Sequence, residues 1–184
     1  MKFELQRDEA LPLLTLVTSV VERRQTLPIL SNVRLELNGG QLVMTGTDLE
    51  VEVEMGVAAK GDSSGATTVS ARKFLDICRA LPEGATLKID QSEDRLKIRS
   101  GRSRFSLQTL PAEDFPRLDE GSHWEERIKI SQGSLKALLE KTSFSMAQQD
   151  VRYFLNGVLL EIDQSTLVAV ATDGHRLARS ATNL

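Results

Sequence analysis

Thr172-Asp173-Gly174-His175-Arg176-Leu177 sets a carboxylate two residues before an imidazole. Paired through a ring nitrogen, those groups are the parts of a general base, with Asp173 orienting His175. Such a base needs a nucleophile to activate, and the chain offers little. His123, the other histidine, falls in a proline-containing acidic stretch, and no serine or cysteine stands in a recognisable elbow. Cys78 shares an apolar stripe with Phe74 and Ile77 and reads as a core thiol. Asp173-Gly174 is equally a turn signal. Gly39-Gly40 has no following helix or Lys-Ser/Thr, so it reads as a hairpin turn and not a phosphate loop. No His/Cys/Asp cluster has metal-ligand spacing, and no cofactor is expected. A small hydrolase or nucleic-acid enzyme using Asp173 and His175 remains the alternative reading.

The elements around this motif are written twice. Leu30–Asp48 (LSNVRLELNGGQLVMTGTD) aligns without a gap to Leu155–Asp173 (LNGVLLEIDQSTLVAVATD), with 8 of 19 positions identical. Phe3/Ile128, Leu5/Ile130, Leu13/Leu138 and Leu14/Leu139 extend the same register backward. An ungapped offset of this length implies one fold unit used twice. Asp48 then holds the turn that Asp173 holds in the second copy.

Within the first copy, Lys2–Gln6 alternates as a strand, and Asp8 is the expected N-cap of a helix carrying Leu13, Leu14, Val17, Val20 and Val21. That helix is expected to end near Arg23-Arg24. Alternating strands follow around Val33, Leu42 and Val51, with Asn38-Gly39-Gly40 as a hairpin turn. The pattern then recurs: a strand at Thr67–Val69, a helix over 70–80 capped by Ser70, and strands at Leu87/Ile89, Leu96/Ile98 and Phe105/Leu107. Residues 109–122 read as a linker. The second copy is expected to open with a strand at Arg127–Ile130 and a helix over 132–147. The implied fold is α+β, a strand-helix-three-strand unit repeated, with antiparallel sheets covered on one face by helices. Residues 1–120 form a first domain. Residues 121–184 form a second, which stops at the equivalent of residue 59 and lacks about half of a unit.

Composition adds bounds. The 184 residues carry a net charge of −3, which excludes a uniformly basic protein but not a segregated basic face. One cysteine excludes an internal disulfide and fits a reducing compartment. No apolar run resembles a signal peptide or a membrane span, so a cytoplasmic protein without membrane contact is expected.

The strings TLPILSN (26–32), TGTDLE (45–50), ARKFLDICRALPEGA (71–85), SGRSRFSLQTLPAEDFP (100–116), FSMAQQDVRYFLNG (144–157) and ATDGHRLA (171–178) together resemble one family: the bacterial sliding clamp, the beta subunit of DNA polymerase III. The resemblance covers the whole chain in order. It implies a DNA clamp fold, with six such units closing a ring from two subunits around double-stranded DNA. It implies a processivity factor that is no enzyme itself but an accessory of a DNA-directed polymerase. The partners would be DNA polymerase III, clamp-loader subunits and other proteins with a clamp-binding motif. This chain would supply the first unit and the front of the second, so it is expected not to close a ring alone. It would stay monomeric or weakly self-associating, where the full-length family is a homodimer. A scaffold without DNA binding is the remaining alternative.

The resemblance also implies site residues. Arg24, Arg72, Gln149, Tyr153 and Phe154 match DNA-contacting positions. Leu155, Thr172, Gly174, His175, Arg176 and Leu177 match part of a hydrophobic cleft for partner peptides. Lys73, Ile77, Arg102, Arg104, Phe105 and Leu107 match the edge that meets the other subunit. The residues alone give Arg72 and Arg79 on one helix side with Lys73 adjacent, Lys136 and Lys141 outward on the later helix, and Asp76 and Glu140 among them. Taken alone, Arg102 and Arg104 read as charges that protect a strand edge.

Overall fold

The computed structural model describes residues 1–21, 27–61, 63–118 and 128–184. The chain divides into two units, Met1–Glu120 and Gly121–Leu184, each described by itself.

The first unit follows the element order read from the periodicity. Its elements are β1 (Lys2–Gln6), α1 (Arg7–Ser19), a 3₁₀ turn (Pro28–Ser31), β2 (Asn32–Asn38), β3 (Gln41–Thr47), β4 (Glu52–Ala58), β5 (Gly65–Ser70), α2 (Ala71–Ala80), β6 (Thr86–Ser92), β7 (Arg95–Ser100) and β8 (Ser103–Leu110). Strand alternation placed these correctly because one face is buried. Gly39 and Gly40 both take positive φ, 56° and 79°, the backbone that a two-residue hairpin matching strand twist demands.

What periodicity could not give is the pairing. The eight strands run β1-β6-β7-β8-β5-β2-β3-β4, all antiparallel. The two leading strands are exchanged: β1 pairs with β6 of the second half, and β5 pairs with β2 of the first. This exchange ties the two halves into one unit. The seams between them are narrow. β8 meets β5 only through Thr68↔Leu110 and Val69↔Thr109. β1 meets the chain after β4 through a single bridge, in which Glu4 and Lys60 exchange backbone bonds of 2.7 and 3.0 Å.

Both helices lie on the inner faces of these strands. Leu14 and Val17 of α1, and Phe74 and Cys78 of α2, are fully buried with Leu35, Leu37, Leu42, Met44, Leu87, Leu96 and Ile98. Each such side chain contributes about 1.5–3 kcal/mol over an exposed one. α1 tolerates Pro12 in its interior because this packing outweighs the lost backbone bond. It also lies very close to β3. A Cβ built on Gly46 would stand 2.7 Å from the Val17 carbonyl oxygen, so glycine is what allows the approach.

Several expectations are corrected. Asp8 is not the N-cap: α1 begins two residues earlier, at Arg7, with Gln6 in that place. The Asp8 carboxylate instead accepts from Arg7 Nη1 and the Gly84 amide, both at 2.8 Å, and these bonds hold its pKa below the ordinary value. Ser70 is the N-cap of α2 by position but makes no side-chain capping bond. The stretch expected as a linker is strand to Leu110, and beyond it Phe115 is buried and Arg117 bonds Glu52 and Glu54 of β4. α1 also ends at Ser19, with Val20 as its C-cap, short of the expected end near Arg23-Arg24, which lie outside the described residues.

The second unit contains α3 (Gln132–Glu140), β9 (Leu159–Asp163), β10 (Thr166–Thr172) and β11 (Leu177–Asn183), with β10 central in a three-stranded antiparallel sheet. Ser131 caps α3, its hydroxyl accepting from the Ser134 amide at 3.0 Å. The helix stops well short of residue 147, because Thr142 turns its hydroxyl back onto the Leu138 carbonyl (3.1 Å) and a 3₁₀ turn over Ser143–Ser145 follows. Residues 128–130 are not strand. The core is small: Leu138, Leu167 and Ala169, with Ile130, Leu135 and Val158 against them. β9 is exposed along its length.

Candidate functional site

The turn after β10 shows what Asp173 does. Its Oδ1 accepts from the His175 and Arg176 amides, both at 2.9 Å, and Oδ2 accepts from Arg176 Nε at 3.0 Å. These bonds depress its pKa, the Arg176 amide most. Thr172 Oγ1 donates to the Arg176 carbonyl (2.6 Å) and accepts from the Gly174 amide (3.1 Å). The carboxylate holds backbone, and its bond to His175 runs to the amide. The same network stands after β3: Asp48 Oδ1 accepts from Glu50 (2.9 Å) and Val51 (2.7 Å), and Thr47 Oγ1 bonds the Val51 carbonyl and the Leu49 amide. Glu50 takes the place of His175, so the turn forms without an imidazole. A structural Asp turn used twice accounts for the motif.

Two of the expected cleft residues, Leu155 and Thr172, line one cavity of about 290 Å³, together with Phe154, Gly157, Leu159, Val170 and Ala171. Gly174, His175, Arg176 and Leu177 lie along the turn beyond it, with Leu177 64% exposed. The Arg176 guanidinium sits 5.9 Å above the Phe144 ring, a cation–π contact that joins the turn to the segment after α3. Arg152, gripped by Asp150 at 3.0 and 2.8 Å, reaches toward Gly174. That grip holds the Asp150 pKa at about 2. Arg152, Phe144 and Val170 were not singled out from the sequence; the Asp150-Val151-Arg152 spacing was the available signal for the first.

Among the expected DNA-contacting residues, Arg24 lies outside the described residues. Arg72 is on the solvent face of α2 with Lys73, Asp76 and Arg79, and its Nη2 reaches the carbonyl of Val21, two residues past the end of α1, at 3.5 Å. In the second unit, Gln149 is exposed with φ 57°. Tyr153 and Phe154 are 83% and 70% exposed and meet edge to face at 6.4 Å. Exposed rings of this size are unusual for a core role. Lys136 pairs with Glu140 at 3.8 Å, and Lys141 is exposed.

The expected subunit edge divides. Arg102 and Arg104 are exposed, Phe105 and Leu107 are half-buried, and Lys73 is exposed. Ile77 is 8% exposed and packs in the unit's own core. β8 is not a terminal strand of the sheet, since it lies between β7 and β5. Its pairing to β5 covers only Thr109 and Leu110, so among the described residues no strand pairs with 103–108 on that side.

The fold is that of the DNA clamps. A crystal structure of a DnaN sliding clamp from Pseudomonas aeruginosa bound to griselimycin superposes with a TM-score of 0.96 at 51% identity, over all of this chain and 50% of that one. A Caulobacter crescentus pol III beta structure gives 0.92 at 39% identity, also over all of this chain and 50% of its own. Residues 1–119 match the DNA polymerase III beta subunit, N-terminal domain, and residues 129–184 match its central domain. The chain belongs to the DNA polymerase III beta subunit family. The beta sliding clamp of Pseudomonas putida is 54% identical over 179 residues, covering 97% of this chain and 48% of the relative. That of Escherichia coli K12 is 51% identical over 181 residues, covering 97% and 49%. The chain spans about half the length of the curated relatives it matches.

Proposed function

We propose that this chain forms the first unit and the front of the second unit of a sliding clamp, a ring that encircles duplex DNA and tethers the replicative polymerase. The observation that carries the reading is the repeated clamp unit, matched along its length by relatives named beta sliding clamp. Holding DNA by closure requires no catalytic group, only a tolerant lining, and Arg72 and Arg79 on the solvent face of α2 supply cations without base readout. Arg24, Gln149, Tyr153 and Phe154 are assigned to the same DNA-facing lining, Arg24 as a further cation and the other three as neutral contacts. The cavity at Leu155 and Thr172, with the turn at Gly174–Leu177, is assigned as part of a cleft for short hydrophobic peptides of the polymerase, the clamp loader and other clamp-binding proteins. Lys73, Ile77, Arg102, Arg104, Phe105 and Leu107 are assigned to a homodimer edge, with β8 offering backbone at 103–108 on the side that no strand among the described residues pairs. The protein is assigned to the cytoplasm; no helix among the described residues is long and apolar enough to cross a membrane.

The test is a chimera in which this chain replaces the corresponding half of the Pseudomonas putida clamp. Loaded onto circular DNA, the chimera should be retained and should slide off once the circle is cut. Equal loss from circular and linear DNA, with the chimera folded and dimeric, refutes the proposal.

A further inference from the structure

The solvent face of β1, β6 and β7 carries charges that none of the surfaces above uses. Strand pleating puts alternate residues on this face, and the register lines them up across the strands. One row runs Lys60, Glu4, Lys88, Arg99. The next runs Lys2, Asp90, Lys97. All seven line one groove of about 580 Å³. Five cations and two carboxylates leave an excess of three positive charges, in a chain whose net charge is −3.

The excess is not settled internally. Lys2 reaches Asp90 at 3.5 Å and Lys88 reaches Glu4 at 3.0 Å. Among the described residues, no carboxylate lies within ion-pair distance of Lys60, Lys97 or Arg99. Lys88 and Arg99 are direct cross-strand neighbours, and so are Arg99 and Arg104. Like charges placed opposite each other destabilise a sheet, so the free protein carries a repulsion that a docked anion would remove.

The spacing narrows the anion. Lys97 and Arg99 are two residues apart on one strand, hence about 6.7 Å apart on the same face. An extended peptide has that same repeat, so carboxylates at alternate positions face both cations at once. A duplex fits less well: one charge per roughly 1.7 Å of axis would put phosphates over Glu4 and Asp90 as well as over the cations. Peptide N–H groups, in contrast, can donate to those two carboxylates. Stacked single-stranded bases need exposed rings, and the one aromatic in the groove, Phe3, is 3% exposed. We infer that this groove docks an extended acidic segment of a partner protein, with alternate carboxylates on Lys97 and Arg99 and another toward Lys60. The face is opposite the helix-covered core of the unit, and the groove shares no lining residue with the β8 edge.

The experiment measures binding to the 184-residue chain of three labelled probes: a short peptide of alternating serine and glutamate, its serine–glutamine counterpart, and a short DNA duplex. The glutamate peptide should bind, lose affinity at high salt, and weaken about tenfold or more in Lys97→Gln/Arg99→Gln, with the glutamine peptide silent. The duplex should bind that variant as it binds the parent chain, and circular dichroism should show the fold retained. Glu4→Gln/Asp90→Asn should tighten the duplex more than the peptide, because it removes the carboxylates that obstruct a phosphate track. The inference fails if the glutamate peptide shows no binding at about 1 mM, which corresponds to only about −4 kcal/mol. It also fails if the double glutamine variant weakens duplex and peptide alike, which would identify a nucleic-acid surface.

Discussion

Leu49 and Gly174 occupy the same position in two copies of one turn, and both hold a left-handed backbone, with φ of 80° and 89°. Only the second copy has the residue that accepts this conformation without a side-chain penalty. For leucine the left-handed region costs on the order of 1–2 kcal/mol. The Thr-Asp hydrogen bonds on either side hold it there. Leu49→Gly should therefore stabilise the first unit or leave it unchanged, by up to about 1 kcal/mol after the entropy of a freer unfolded chain is counted. Gly174→Ala should destabilise the second unit by about 1 kcal/mol. Chemical denaturation of the two variants compares them directly, and a marked loss in Leu49→Gly would show that the leucine side chain outweighs its backbone strain.

The Asp150–Arg152 grip has a pH signature. Arg152 side-chain and backbone bonds bring the Asp150 carboxyl from 3.8 to about 2. A carboxylate whose folded pKa is depressed stabilises the fold fully above its unfolded value and loses that contribution as pH falls through the folded value. The loop carrying Arg152 should accordingly hold firm down to about pH 4 and loosen between there and pH 2. NMR titration should place Asp150 near 2, and Arg152→Ala should return it toward 3.8. An unmoved titration in that variant would mean the ion pair is not what holds the carboxyl down.

Strand positions in the first unit, its two helix starts to within two residues, and the turn shared by Asp48 and Asp173 were legible because each is a local matter of alternation, capping or turn chemistry. The exchange of β1 and β5 was not. It depends on which buried face meets which, and Leu5 alternates in the same way whether β6 or β2 is its neighbour. The early end of α3 was missed for another reason: apolar spacing continued to Met146, but the Thr142 hydroxyl donates back to the Leu138 carbonyl. Resemblance supplied most of the site residues, and geometry separated them. Leu155 and Thr172 meet in one cavity, while Ile77 is mostly committed to its own core.

If α2 faces duplex DNA, binding by this chain should be independent of sequence and fall steeply with salt. Arg72→Ala should lower the slope of log affinity against log salt by about 1 at most, the share of one phosphate contact. The bond from Arg72 to the Val21 carbonyl is long, 3.5 Å, so its loss should leave thermal stability nearly unchanged and the effect readable as binding. Filter binding across a salt series measures the slope, and an Arg72→Ala slope equal to that of the parent chain would remove α2 from the DNA surface.

The cavity assigned to partner peptides offers the last expectation. The cavity at Leu155 and Thr172 measures about 290 Å³, at the lower limit of volumes that hold a small ligand. Its lining is mostly apolar, with Phe154, Leu159 and Val170, so it suits one hydrophobic anchor. The family resemblance gives the remainder of the cleft to sequence beyond these residues, and the chain covers 48% of the Pseudomonas putida relative. A hydrophobic clamp-binding peptide should dock here with one anchor in place of several. At 1.4 kcal/mol per factor of ten, each well-buried anchor lost, of about 3 kcal/mol, weakens binding roughly a hundredfold. Titration of one labelled peptide against this chain and against a full-length relative gives the comparison. Val170→Asp, which puts a charge into the cavity lining, should abolish what binding remains. Equal affinities for the two proteins would mean that Leu155, Thr172 and the 174–177 turn suffice, and that the cleft is complete within this chain.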